Sequence, residues 1–162
     1  MSSSVSPRIT LPVIENAIRS CETHLNSSGA RGSEIESYLT RYLLILICGE
    51  YEKLIKEKVV ERARRASDPD LASFVERTVK SFRGLRISEI KGGVLRKFSD
   101  NHVAMFDQKT KNTEAIYRYS NIVENRHMTA HGQTVNMTFS ELVTSFRMAE
   151  SILISLSEVL SM

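Results

Sequence analysis

The stretch IESYLTRYLLILICGEYEKLIKEKVVERARR, residues 35–65, decides the fold. Ile35, Tyr38, Leu39, Tyr42, Leu43, Ile45, Leu46, Ile47, Tyr51, Leu54, Ile55, Val59 and Val60 recur in it at three- and four-residue spacings, the period of an α-helix. From Leu43 to Cys48 the segment is apolar almost all the way round, the pattern of a central helix surrounded by others. It then becomes highly charged and stops before Pro69, because the residue preceding a proline is driven out of the helical region. Upstream, Ser33 with Glu36 three residues on reads as a capping box. One helix of roughly thirty residues or more is therefore predicted.

Helical periodicity continues on both sides. Leu11, Ile14, Ala17, Ile18, Cys21 and Leu25 form a first helix, with Pro12 tolerated in its first turn and the small residues from Asn26 to Gly29 ending it. DPDLASFVERTVKSF, residues 68–82, makes a short third helix capped near Asp68 or Asp70, with Leu71, Phe74, Val75 and Val79 inward and Gly84 closing it. In ISEIKGGVLRKF, residues 87–98, Ile87, Ile90, Val94, Leu95 and Phe98 share a side, while Gly92 and Gly93 imply close packing or a break. DNHVAMFDQ reads as a short helix or loop, and KTKN as a polar turn. From Asn112 or Thr113, Ile116, Tyr119, Ile122, Val123 and Ala130 line a further helix that ends at Gly132. Thr138 and Glu141 then box the start of a last helix running to the final residue through Phe139, Leu142, Val143, Phe146, Ala149, Ile152, Leu153, Leu156 and Leu160. No strand and no internal repeat is predicted. The class is all-α, an antiparallel bundle of about five to six helices, with residues 1–9 a loose Ser-rich tail and residues 10–162 one domain.

Composition bounds the function. At 162 residues with 41% hydrophobic and 25% charged side chains, the chain has material for a core without disulfides or a structural metal. The longest apolar run, residues 42–49, is far short of the roughly 20 residues that span a bilayer, so no membrane partner is expected. The polar N-terminus lacks the apolar region of a signal peptide, and a cytoplasmic location is expected. Cys21 and Cys48, each among helical apolar residues, read as buried free thiols. A net charge of +3 tolerates a polyanionic partner without requiring one.

Chemistry concentrates in ENRHMTAHG, residues 124–132. The plain reading is a helix end whose cations complement the dipole. A metal pair at His127 and His131 would have the right i, i+4 spacing. Met128 nevertheless stands where a zinc-protease motif has glutamate, no cysteine is near, and a third ligand would have to come from His24 or His102. Neither a metal nor another cofactor is expected. A third reading is metal-free RNA cleavage: a base takes the 2′-hydroxyl proton, an acid protonates the leaving 5′-oxygen and a cation steadies the phosphorane. Histidine titrates near neutrality and arginine offers a fixed fork to phosphate oxygens. One such set per chain is few, and a twofold dimer doubles it.

Arg126, a polar residue after it, four intervening residues and His131 resemble the R-x4–6-H signature of the HEPN superfamily, and Asn125, Ala130 and Gly132 match the "RN/RH…AHG" form of its prokaryotic members. The motif closes the penultimate long helix, as in that superfamily. The long helix of residues 35–65, whose Tyr- and Leu-rich face gives way to Gly49 and then to glutamate, is similar to that of RiboL-PSP-type HEPN domains. In layout the resemblance covers residues 10–160; it is specific in these two blocks. It implies a four-to-six-helix fold, a homodimer with the motif at a composite interface, and an endoribonuclease leaving 2′,3′-cyclic phosphate and 5′-hydroxyl ends. It also implies a toxin–antitoxin or anti-phage defence setting, with an antitoxin or defence protein as partner. On this resemblance Arg126 holds the scissile phosphate, His131 moves protons, and His127 orients the site or binds phosphate. Asn125 hydrogen-bonds RNA or the interface, and Glu52 or Glu50 orients Arg126 by an ion pair. The run RARR at 62–65 is a candidate for backbone contact. The alternative is a non-catalytic module of the same fold that binds RNA, a nucleotide or a protein.

Overall fold

The computed structural model describes residues 9–162, so that of the expected tail only Ile9, packed against the core, falls within the described residues. These residues form seven helices and no strand, an antiparallel bundle. α1 (Pro12–Ser28) has its proline in the first turn and ends at Gly29, whose φ of +64° suits the left-handed C-cap. α2 (Glu34–Arg64) is the long helix. Its start differs in detail from the predicted box: Ser33 accepts from the Ile35 amide, and the Glu36 carboxylate accepts from Gly32 N–H at 2.5 Å, one residue beyond the cap. α3 (Pro69–Val79) is capped by Asp68, which accepts from the amides of Asp70 and Leu71 at 3.0 Å.

Of close packing or a break, read from the glycine pair, the structure has close packing, at Gly93. Residues 87–98 form one helical segment, α4, whose middle, Lys91–Leu95, is a π-turn. A Cβ on Gly93 would stand 3.0 Å from the Phe82 ring, so the absent side chain makes room for that ring. Ser99 is extended (φ −173°) and caps α5 (Asp100–Lys109) through the His102 amide. This break adds a helix to the expected five or six. α6 (Thr113–Ala130) and α7 (Phe139–Ser161) complete the chain. The box at Thr138 forms as read: its hydroxyl accepts from the Glu141 amide and the Glu141 carboxylate accepts from Thr138 N–H at 2.8 Å.

α2, α6 and α7 are the centre, with α6 packed most extensively on α7. Tyr51 of α2 is fully buried between Tyr119 of α6, with rings 5.6 Å apart and 5° from parallel, and Phe146 of α7 at 6.4 Å. Each such aromatic pair adds about 1 kcal/mol beyond the area it buries. The Tyr119 hydroxyl donates to Leu85 O at 2.9 Å, tying the α3–α4 connection to the same core. Cys21 and Cys48 are buried free thiols.

Two apolar faces read as inward are open. In α3, Leu71 and Phe74 are exposed, and only Val75 and Val79 pack inward. The helix sits at the margin, and its predicted end at Gly84 comes five residues earlier because a turn follows Val79. In α2, Leu43, Leu44, Ile47 and Cys48 are buried, whereas Ile35, Tyr38, Tyr42 and Ile45 are between 46% and 61% exposed. The long helix is therefore covered on one side only, and the expectation of a helix surrounded by others is corrected. No helix among the described residues is long and apolar enough to cross a membrane.

Candidate functional site

The end of α6 is a Schellman turn. Gly132 N–H donates to Thr129 O at 3.1 Å and Gln133 N–H to Met128 O at 2.9 Å, and Gly132 has φ +68°. Glycine is favoured at such a left-handed C′ position because a Cβ would crowd its own carbonyl. His131 is thereby the last residue before the reversal, exposed at an open helix end.

Helix geometry distributes the motif. Arg126 follows Tyr119 by seven residues, about 20° round the helix, and so leaves α6 on the face that stacks against α2. Tyr119 lies on Tyr51, and Arg126, two turns on, reaches the level of Cys48; the two helices run antiparallel. Burial pushes the Cys48 thiol up to about 12, with the Arg126 charge pulling it back and Glu52 adding to the rise. The thiol is thus un-ionised at neutral pH, and Arg126 stands at the α2–α6 seam with its side chain exposed. His127 and His131 project about 100° and 140° away from it. Their rings meet edge to face, with centroids 4.5 Å apart and planes at 68°. The chain therefore presents an arginine on one side of the helix end and an imidazole pair on the other, both facing solvent.

Several candidate residues are placed elsewhere. Asn125 is 3% exposed and its amide is spent inside the chain: Nδ2 donates to Asn121 O and Oδ1 at 2.9 and 2.8 Å, and Oδ1 accepts from Asn136 N–H at 3.1 Å. It holds the loop between α6 and α7, and a role in hydrogen-bonding RNA is replaced by this one. The Glu52 carboxylate pairs with Lys56 at 2.7 Å and Arg83 at 3.2 Å; among the described residues neither it nor Glu50 lies within ion-pair distance of Arg126. In the RARR run, Arg64 faces Glu76 at 3.6 Å and Arg65 donates to Ser161 O. The run sits about 20 Å along α2 from the level of Cys48, at 1.5 Å per residue. His24 is in α1 and His102 in α5, its Nδ1 2.6 Å from the Ser99 hydroxyl. Among the described residues no three His, Cys, Asp or Glu side chains gather where a metal ion could be held.

A further cation lies on the same stretch of α2. Arg41 precedes Cys48 by two turns on the same face of α2, about 20° round from it. Its guanidinium lies over the Tyr38 ring at 6.0 Å, and its Nε is buried without a partner among the described residues. Its signal in the sequence is a lone cation inside an otherwise apolar run.

Replacing Asn125 by alanine leaves the Asn136 amide unpaired. We expect a loss of about 1 kcal/mol, the net worth of a hydrogen bond, with amide exchange accelerating first in residues 131–138. A melting curve with site-resolved hydrogen exchange checks both; unchanged exchange in the loop would contradict the assignment.

An exposed guanidinium and an imidazole pair, on the two sides of one helix end, are the kinds of group that bind a phosphate and that take and give protons. The RiboL-PSP-HEPN family model matches residues 11–162. No curated protein and no solved structure matches the chain.

Proposed function

From the chain's membership in the RiboL-PSP-HEPN family, we propose that it is a metal-independent endoribonuclease whose active site is completed by a second copy of itself. HEPN domains are commonly ribonucleases, and the observation that carries the reading here is the placement of Arg126, His127 and His131. All three are exposed at one helix end, where the Schellman turn and Asn125 fix the backbone without using any of their side chains.

The chemistry assigned to them is transesterification. An imidazole removes the proton from a ribose 2′-hydroxyl, the freed oxygen attacks the adjacent phosphorus, and the P–O5′ bond breaks as a second imidazole delivers a proton to the leaving oxygen. The Arg126 fork binds the non-bridging oxygens and stabilises the charge that grows on them in the phosphorane. The products are a 2′,3′-cyclic phosphate and a 5′-hydroxyl. Arg126 and the imidazole pair of one chain diverge around α6, so two copies facing each other supply the opposed groups that one copy does not bring together. A toxin–antitoxin or anti-phage setting, with a protein that restrains the enzyme, belongs to the same proposal.

The test is incubation with RNA in the presence of EDTA, with analysis of the ends. Cleavage leaving cyclic phosphate is expected. No cleavage at any protein concentration, or products with 3′-hydroxyl ends, would exclude the proposal.

A further inference from the structure

Resting on the homodimer reading above, we infer that the open face of α2 is the seam on which a second copy of this chain docks, and that this docking sets two copies of Arg126 on one side of the dimer. Ile35, Tyr38, Tyr42, Ile45 and Gly49 follow one another by three, four, three and four residues. They fall within an arc of about 80°, and all five are exposed. This is the a/d repeat of a helix that packs along another helix. The seam is bounded: the next two positions of the repeat, Glu52 and Lys56, are charged and paired to each other at 2.7 Å.

A second copy fits better than an arbitrary occupant because the centre of the stripe is complementary to itself. Set antiparallel about a twofold axis between Tyr42 and Ile45, each Tyr42 meets an Ile45 and each Tyr38 meets a Gly49, while Ile35 falls opposite Glu52 at the margin. Nothing lies within 4 Å of where a Cβ of Gly49 would stand, which leaves a recess for an aromatic ring. The four large side chains expose on the order of 400 Å², comparable to the largest apolar patch on an ordinary monomer. A standard interface buries roughly 800 Å² per partner, so the stripe supplies about half of one.

The seam adjoins the site. Ile45 is about 60° round α2 from Cys48, and Arg41 about 20°; Cys48 is the residue whose thiol feels Arg126. A twofold axis perpendicular to α2 brings each flank of the helix against its own copy, so the flank bearing Arg41 and Arg126 meets itself. Four guanidiniums gathered there repel one another, and a phosphodiester between them relieves that repulsion. The Arg41 Nε that lacks a partner in the single chain is placed on this flank.

Tyr42→Lys and Ile45→Arg test the seam. Both side chains are exposed in the single chain, so unchanged helical circular dichroism is expected while light scattering shows the dimer dissociating, with Kd raised about 100-fold or more. As a check independent of folding losses, oxidising a mixture of Tyr42→Cys and Ile45→Cys chains should yield a disulfide-linked heterodimer; Cys21 and Cys48 are buried. A wild-type protein that is monomeric at every concentration, variants that remain dimeric, or no cross-link would overturn the seam. RNA cleavage separates the two readings. A dimer that dissociates as predicted but does not cut RNA supports the seam and removes the ribonuclease; monomeric variants that cut as fast as wild type overturn the link between seam and site.

Discussion

Arg126→Ala is expected to lower RNA cleavage in EDTA by about 10²–10³-fold, the cost of removing one donor from a site where charge develops, without loss of stability. The side chain is exposed and, among the described residues, in no ion pair, so its removal opens no cavity and strands no partner. The near absence of a folding cost follows from surface position and separates this residue from Asn125, one position earlier and 3% exposed. Arg126→Lys should recover only part of the rate, because an ammonium keeps the charge but lacks the fork. Single-turnover rates on a defined RNA, read beside the melting curve, decide the matter. An alanine variant that cleaves as wild type does would remove Arg126 from the mechanism.

Mixing two inactive chains is expected to restore activity. His131→Ala should be as inactive as Arg126→Ala, yet an equal mixture of the two, allowed to exchange subunits, should cleave at about a quarter of the wild-type rate. Half of the dimers formed are mixed, and each mixed dimer holds one of the two pairings of an intact arginine with an intact histidine across the axis. The prediction follows from Arg126 and His131 pointing about 140° apart on α6. Were the two groups of one chain to act together, the mixture would contain no intact site and would stay inactive.

Much of the architecture is legible in the sequence. The 3.6-residue period, the boxes and the glycine stops are local signals, and they locate α1, α2, α6 and α7 to within a few residues. The break between α4 and α5 was ambiguous because Ser99 is extended without a glycine or proline to announce it. Gly92 and Gly93 point to close packing or a break, and only the structure shows a continuous segment with a π-turn and the Phe82 ring for which the missing side chain makes room. At the candidate site, Arg126, His127 and His131 were legible as a cluster because they share one helix end. Asn125 and Glu52 were misassigned because a polar residue looks alike in sequence whether it faces solvent or spends its atoms on a loop amide or a neighbouring cation.

The order of apolar and polar residues along the chain, by itself, determined an all-α protein, the place of its long helix, and the helix end where arginine and histidine meet, since each depends on neighbours within one or two turns. Only the tertiary structure decided which apolar residues are core. Tyr51 and Tyr42 occupy one helix and read alike, yet the first is fully buried between Tyr119 and Phe146 and the second is 52% exposed. Periodicity states that a face is apolar; whether another helix covers it depends on contacts between residues far apart in the chain, and in α2 part of that face is left open.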